Sequence, residues 1–460
     1  MLFPTVTFAV FFMIVLPVSW ALMPYQRAWR IWILLASYVF YAWWDWRFIF
    51  LLLASTIVNH VLAVAMHRSH GVFARKSFLA LAIAFDLGLL GYFKYANFFL
   101  STADNVAGTS WIANVVLPVG ISFYTFMAIS YVVDTYRGEL VPASLARFAV
   151  FQAFFPHLVA GPIVRASELL PQLETERDPR KVDVSRAFFL IVSGLFLKVV
   201  IANHLATNIV DDVFAAPNKH SSLEVLVAVY GYAVQIFADF CGYTNIAIGI
   251  ALLLGFEFPQ NFASPYTAVS LQDFWRRWHM TLSRWLRDYL YIPLGGNRKG
   301  RLLTYRNLML TMLLGGLWHG AAWTFVVWGG IHGLGLSIER ATGWRPTSEA
   351  AKWFGRILTF HVVCFAWIFF RADSFGRAGD VLARLFTAWG QPAPLVTTSV
   401  VLAILVGILG QFIRPAAVGA ALRGFQRLPV AAQATCFAVA LTLINTLGPE
   451  GVAPFIYFRF

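Results

Sequence analysis

Long apolar runs separated by short, mostly basic connectors follow one another along the whole chain. After a first run in "MLFPTVTFAVFFMIVLPVSWAL", further ones lie near residues 31–66, 78–100, 112–133, 147–164, 186–210, 223–256, 302–340, 355–371, 396–413 and 428–447. A hydrocarbon core of ~30 Å takes about 20 apolar residues to cross, so the pattern predicts an all-α integral membrane protein with about eleven spans and additional re-entrant or interfacial helices. The polar "WWDWR" at 43–47 should split the 31–66 run into two short spans. No basic residue precedes Arg27, so the first run lacks the positive segment of a cleavable signal peptide and is expected to stay as a span. No fixed repeat is visible and no polar block is long enough for a soluble fold, so residues 1–460 are expected to form one membrane domain.

One run does not fit a single crossing. From Asn307 to Ile338, 32 residues pass without Asp, Glu, Lys or Arg, including "LLGGLWHGAAWTFVVWGGIHG". At 1.5 Å per residue that is ~48 Å of helix against ~30 Å of hydrocarbon, so a break or a re-entrant turn is expected. Gly315, Gly316, Gly320, Gly329 and Gly330 offer places to bend or to bring backbones together.

Two connectors stand apart. Residues 165–186, "RASELLPQLETERDPRKVDVSR", mix five basic with five acidic residues and two prolines and read as a solvated loop. Residues 272–306, "QDFWRRWHMTLSRWLRDYLYIPLGGNRKGRLLTYR", carry eight Lys or Arg against two Asp. On a continuous helix Trp275, Trp278, Leu282, Trp285, Leu286 and Tyr289 share an arc of about 100°, with Arg276, Arg277, Arg284, Arg287 and Asp288 opposite. That is the pattern of an interfacial helix, with His279 at the edge of its aromatic face. "PLGGN" should end the helix near Pro293, and the "RKGR" after it suits the phosphates of lipid headgroups better than those of a nucleotide cofactor.

Composition supports the membrane reading. The chain is 59% hydrophobic and 12% charged, where a soluble domain carries roughly 25% charge. A net charge of +13 would by itself suit nucleic acid, but the basic residues sit in connectors between apolar runs, where cytoplasmic retention explains them; no nucleic-acid partner is expected. Cys241, Cys364 and Cys436 lie far apart in apolar runs and give neither a disulfide framework nor a metal site.

Among ten histidines, most need no chemistry. His60, His67, His70 and His220 flank basic or polar connectors, His361 sits near a span end, and His157 in "FFPHLVAGPIVR" is equally open to a structural or a functional reading. His319 differs because an ionisable group inside a membrane is costly and marks either a reacting centre or a satisfied helix contact. A neutral imidazole can take the proton of a hydroxyl as its oxygen attacks an activated acyl group. No Gly-x-Ser-x-Gly elbow and no His-Glu-x-x-His motif accompanies it, so neither an acyl-serine nor zinc is expected. His332 lies 13 residues on, about 220° round a continuous helix, and is the weaker candidate. Gln235, Asp239 and Asn245 punctuate another apolar run; Asp239 could pair with an arginine or histidine or bond to backbone.

Several segments together resemble the membrane-bound O-acyltransferase superfamily, and within it the bacterial polysaccharide branch typified by the membrane subunit of alginate O-acetylation. They are "LLASYVFYAWW", "LGYFKYANFF", "LPVGISFYTF", "FPHLVAGPIVR", "DFCGYTNIAIG", the block from "QNFASPY" through "PLGGNRKG", "LTMLLGGLWHGAAWTFVVWGGIHG" and the closing "FIYFRF", in the family's order from end to end. The resemblance implies a polytopic fold around a transmembrane tunnel, with the catalytic block at about 257–340. It implies acetyl taken from a cytoplasmic donor, acetyl-CoA, without a tightly bound cofactor, and passed to an exported polysaccharide, alginate before cellulose or another exopolysaccharide. Periplasmic acetyl-transfer proteins and the polymer synthesis and export machinery are the implied partners, and the bacterial inner membrane the implied location. The family's invariant histidine falls on His319, and a second polar position falls on His279, as base and as donor or orienter of the acyl carbonyl. Where "GYTNIAIG" has Asn245 the family usually has Asp, which puts a carboxylate role there in doubt. A transporter or flippase and a structural subunit of a synthase complex are the competing classes; the absence of inverted repeats and the scarcity of intramembrane carboxylates beyond Asp86, Asp134 and Asp239 weigh against transport.

Overall fold

The computed structural model describes residues 1–107 and 115–449, and every regular element among them is helical. The closing "FIYFRF" and residues 112–114 of the run expected over 112–133 lie outside the described residues. The chain divides into two compact units, one of residues 1–187 with 247–259 and the other of 188–246 with 260–460.

The first unit holds helices α1 (Val6–Leu22), α2 (Gln26–Ala42), α3 (Phe48–Arg68), α4 (Val72–Leu90, continuing through a π-turn), α5 (Ile121–Arg137) and α6 (Leu145–Ala153). The 31–66 run is indeed two helices. Between α2 and α3 the Asp45 carboxylate accepts from the Arg47 backbone N–H at 3.0 Å, and Trp43, Trp44 and Trp46 stand exposed, as interfacial aromatics do. The 147–164 run is also broken, because α6 stops at Phe154 and Pro156 cannot continue it. Phe8, Phe40 and Phe155 pack edge to face and tilted at 5.4–6.3 Å between centroids and are all buried. The 165–186 connector is less solvated than its composition suggests. Its Arg177 guanidinium lies between the rings of Trp29, at 4.0 Å, and Phe256, at 4.3 Å, because the weakly hydrated planar cation gains from stacking.

The second unit takes most of α7 (Val184–Ala215) and of α8 (Ser222–Leu253), then α9 (Leu271–Trp275), α10 (Met280–Leu286), α11 (Arg301–His319), α12 (Trp323–Thr342), α13 (Glu349–Arg371), α14 (Thr398–Leu409) and α15 (Val430–Leu447). Helix α8 is the buried axis: 94% of its most apolar window is enclosed by protein. Helix α7 reaches it backbone to backbone, since a Cβ on Gly194 would stand 2.5 Å from the Gly242 carbonyl oxygen and one on Gly242 2.6 Å from that of Gly194. One turn further along, Lys198 forms an ion pair with Asp239, both side chains buried. Asp239 is thus ion-paired, but with neither the arginine nor the histidine expected for it: its partner is a lysine from the apolar 186–210 run.

The 302–340 run breaks as its length requires. Helix α11 ends at His319, Gly320 adopts an extended conformation at φ −159°, and α12 begins at Trp323. The two helices touch through glycine: a Cβ on Gly316 would lie 2.2 Å from the Phe325 carbonyl oxygen, and one on Gly329 2.2 Å from that of Met312.

Two expectations need correction. Among the described residues six helices are long and apolar enough to cross a membrane, or seven if Thr398–Phe412 and Pro415–Gln426, which meet at 95°, form one broken span. The count of about eleven runs therefore exceeds the full-length spans. Some runs break, α1 is only 17 residues long, and α11 and α12 carry glycine, tryptophan, histidine and terminal charges that suit protein contact more than lipid. Second, 272–291 is not one amphipathic helix. Helices α9 and α10 are separated at His279, whose left-handed φ of 41° no continuous helix contains, and Arg287–Tyr291 continues α10 as a π-turn. The chain does leave the helix before Pro293, with φ of 110° at Gly295 and 55° at Gly296.

Removing one member of the Lys198–Asp239 pair strands a buried charge, so Lys198→Met and Asp239→Asn should each destabilise by about 3–5 kcal/mol, while the double variant recovers most of the loss. Thermal unfolding of the three purified variants in detergent checks this; a double variant as weak as either single would contradict it. Gly316→Val should separate α11 from α12 and lower stability by at least the ~1–3 kcal/mol typical of overpacking, read as a fall in melting temperature.

Candidate active site

The site lies in the second unit and begins with the backbone around His279. The segment 261–263 runs beside the α9–α10 break: Ala263 N–H donates to the Arg277 carbonyl at 3.0 Å and Met280 N–H to the Asn261 carbonyl at 2.9 Å. These two bonds hold the chain while His279 turns left-handed. It is one of two non-glycine residues with positive φ among those described, the other being Ser264. Such a conformation costs on the order of 1–3 kcal/mol in a β-carbon residue and persists only where its surroundings enforce it.

The turn aims the His279 ring into the protein, where it is fully buried. Its Nδ1 lies 3.2 Å from Asn261 Oδ1, and the same oxygen accepts from the Thr281 backbone N–H at 3.2 Å and the Thr281 hydroxyl at 3.0 Å. An amide oxygen only accepts, so the proton of a neutral His279 sits on Nδ1. Nε2 then carries the lone pair, and that atom is buried with no hydrogen-bond partner among the described residues. Phe240, next in sequence to the ion-paired Asp239, meets the ring edge to face at 4.6 Å.

His319 arrives from the other side of the unit as the last residue of α11, 4% exposed. Its ring centroid is 6.4 Å from that of His279. Trp328 of α12 at 5.0 Å and Phe370 of α13 at 5.3 Å face it edge on, and its neighbour Trp318 lies 6.1 Å from His279. The glycine-built hairpin is what permits this, since Gly320 ends α11 at the histidine and a Cβ there would overlap the Phe325 ring. Two imidazoles 40 residues apart in sequence are thus brought side by side in an aromatic enclosure. Desolvation favours the neutral form of an imidazole, which keeps a usable lone pair.

The remaining candidates separate from the pair. His332 is fully buried, accepts from Trp275 Nε1–H at 3.3 Å, and packs at 4.9 Å against Trp328, the tryptophan that His319 contacts. His157, in the first unit, bonds through Nε2 to the Phe151 carbonyl at 2.8 Å and stacks on Phe258. His361 is bonded to the Tyr230 hydroxyl at 2.9 Å on an exposed face. Arg298, Lys299 and Arg301 of "RKGR" are exposed, and Asn245 is half-buried. Among the described residues no group of three or more His, Cys, Asp or Glu could hold a metal ion. Sequence reasoning misses Asn261, whose only signal is that of a polar residue in "QNFASP", ahead of the block that holds His279.

Comparison with known proteins identifies the family. Residues 12–375 match the MBOAT, membrane-bound O-acyltransferase family. The chain is 42% identical over 372 residues to the probable alginate O-acetylase AlgI of Pseudomonas syringae pv. tomato, covering 79% of this chain and 71% of that one. It is 38% identical over 384 residues to the peptidoglycan O-acetyltransferase of Helicobacter pylori, covering 77% and 73%, and 27% identical over 283 residues to the teichoic acid D-alanyltransferase of Bacillus subtilis, covering 57% and 70%. With the family matched across most of its length and apolar helices long enough to span a bilayer, the chain belongs to the membrane-bound O-acyltransferase family and is a multi-pass membrane O-acyltransferase.

Proposed function

We propose that this enzyme takes acetyl from acetyl-CoA on the cytoplasmic side of the bacterial inner membrane and transfers it for O-acetylation of an exported polysaccharide, alginate first. Delivery is to the polymer or through a periplasmic acetyl-transfer partner working with the synthesis and export machinery. The relatives named for alginate and peptidoglycan O-acetylation support the acetyl group and the glycan acceptor. The observation that carries the reading is the juxtaposition of His279 and His319 in one buried aromatic enclosure.

In this mechanism the acceptor hydroxyl oxygen attacks the thioester carbonyl carbon, the C–S bond breaks, and the hydroxyl proton passes through imidazole to the departing thiolate. His319 takes that proton. The Asn261 contact bears on His279: with its proton on Nδ1, its Nε2 is an acceptor and does not donate to the acyl carbonyl, so His279 accepts the single hydroxyl O–H as the acceptor docks and gives it up to His319 as the oxygen attacks. Exclusion of water by Phe240, Trp318, Trp328 and Phe370 protects the acyl group from hydrolysis.

Loss of a general base costs about 10²–10⁴-fold. His319→Ala, shown to be membrane-inserted, should lose polymer acetylation by that margin while polymer export continues. Near-normal O-acetyl content would sink the assignment, and loss of the polymer itself would favour a structural subunit. Asn261→Ala frees the His279 tautomer and should lower kcat by roughly tenfold or more with little change in the KM for acetyl-CoA; an unchanged kcat would remove Asn261 from the site. Membranes given acetyl-labelled acetyl-CoA should transfer label to glycan, and failure to do so would exclude that donor.

A further inference from the structure

Helix α12 forms one arm of the hairpin that presents His319, and the same helix holds the segment that delivers His279. His332, Gly335 and Glu339 of α12 are spaced i, i+3 and i+7, within about 60° of arc on one helix face. All three meet α9. The Glu339 carboxylate accepts from the backbone N–H groups of Leu271 and, at 3.0 Å, of Gln272, so it satisfies the start of α9. Gly335 permits the close approach, since a Cβ there would overlap the Leu271 side chain. At the far end of α9, Trp275 Nε1–H donates to His332 Nδ1 at 3.3 Å, and the Phe274 ring stacks on the same imidazole at 6.1 Å.

Helix α9 is only five residues long, too short to hold its own conformation, so its placement depends on what it is bonded to. Beyond Trp275 the chain stays hydrogen-bonded up to the break. Arg276 N–H donates to the Asp273 carbonyl and Trp278 N–H to that of Phe274, and the next residue is His279. A displacement of α9 is therefore carried into the His279 turn. Helix α12 also touches α11 backbone to backbone at Gly316 and Gly329, and α11 ends at His319. One helix thus supports both imidazoles, whose centroids stand 6.4 Å apart.

His332 is not a second base. An indole N–H only donates, so Nδ1 of His332 is the acceptor and the proton of the neutral ring sits on Nε2. Its one lone pair is taken up by Trp275. We propose that His332 is a positioning residue for acetyl transfer: its bond to Trp275 fixes α9 on α12 and so sets where the His279 ring stands relative to His319. This role rests on the reading of His279 and His319 as the reacting pair.

The two ring nitrogens allow a direct test. An asparagine amide reaches the place of Nδ1 and a glutamine amide that of Nε2, so His332→Asn keeps an acceptor for the Trp275 N–H and His332→Gln does not. Acetyl transfer from acetyl-CoA to an alginate oligosaccharide is measured with the purified full-length protein in detergent, per folded molecule. His332→Gln should lower kcat roughly tenfold or more at an unchanged KM for acetyl-CoA, while His332→Asn should stay within about threefold of the unaltered enzyme. Trp275→Phe keeps a ring and removes the donor; it should match His332→Gln, and the double variant should be no slower than either single, because all three lose the same bond. If His332→Gln does not accumulate, Trp275→Phe against His332→Asn makes the same comparison. An undiminished kcat in His332→Gln or Trp275→Phe, equal losses in the Asn and Gln variants, or losses that multiply in the double variant would each overturn the proposal. His319→Ala is assayed alongside. Full activity there would remove the reacting pair and this role with it, whereas an inactive His319→Ala beside fully active His332→Gln and Trp275→Phe would remove the positioning role alone.

Discussion

Where α11 meets α12, the Phe325 and Met312 carbonyl oxygens stand so close to Gly316 and Gly329 that no side chain fits at either position. On that backbone contact depends one whole side of the active site. It folds an apolar run too long for one crossing into a hairpin, ends the first helix at His319, and brings Trp328 against the imidazole. The opposite ring is placed by a different device. His279 occupies a left-handed turn that interrupts what would otherwise be an amphipathic helix, and Asn261 holds its Nδ1 so that Nε2 faces the enclosure as a lone-pair donor. Packing sets the first position and a hydrogen bond sets the second.

Several buried polar groups among the described residues take a partner from another residue of the same unit. Lys198 of α7 meets Asp239 of α8, His332 takes the Trp275 N–H, and His157 bonds to the Phe151 carbonyl. The ion-paired Asp239 directly precedes Phe240, the residue that packs against His279. Helix α8 therefore contributes both to the internal charge balance of its unit and to one wall of the histidine enclosure.

Much of this was legible in the sequence, for physical reasons that can be stated. The length of the charge-free run from Asn307 to Ile338 demanded a break, and glycines marked where it would fall; "WWDWR" marked another. Hydrophobic periodicity failed at residues 272–291, because a helical wheel assumes continuous helical φ and ψ and gives no warning of a single left-handed residue. The wheel still put His279 at the edge of the aromatic face, and the turn carries it inward. Partners were invisible to periodicity. Lys198 is one lysine in an apolar run and Asn261 one amide in a short polar segment, and only the fold shows that they answer Asp239 and His279. Apolar runs outnumber full-length spans because apolarity also marks helices that bury against protein.

In the proposed chemistry the His279 and His319 imidazoles act on one acyl group. The most direct measurement is single-turnover release of CoA thiol from acetyl-CoA by purified protein with a soluble oligosaccharide acceptor, comparing the unaltered enzyme with His319→Gln and His279→Gln. Acceptor-dependent thiol release should collapse in both variants while acetyl-CoA still binds. Acceptor-dependent release at an undiminished rate in His319→Gln would contradict the role of His319 as the base.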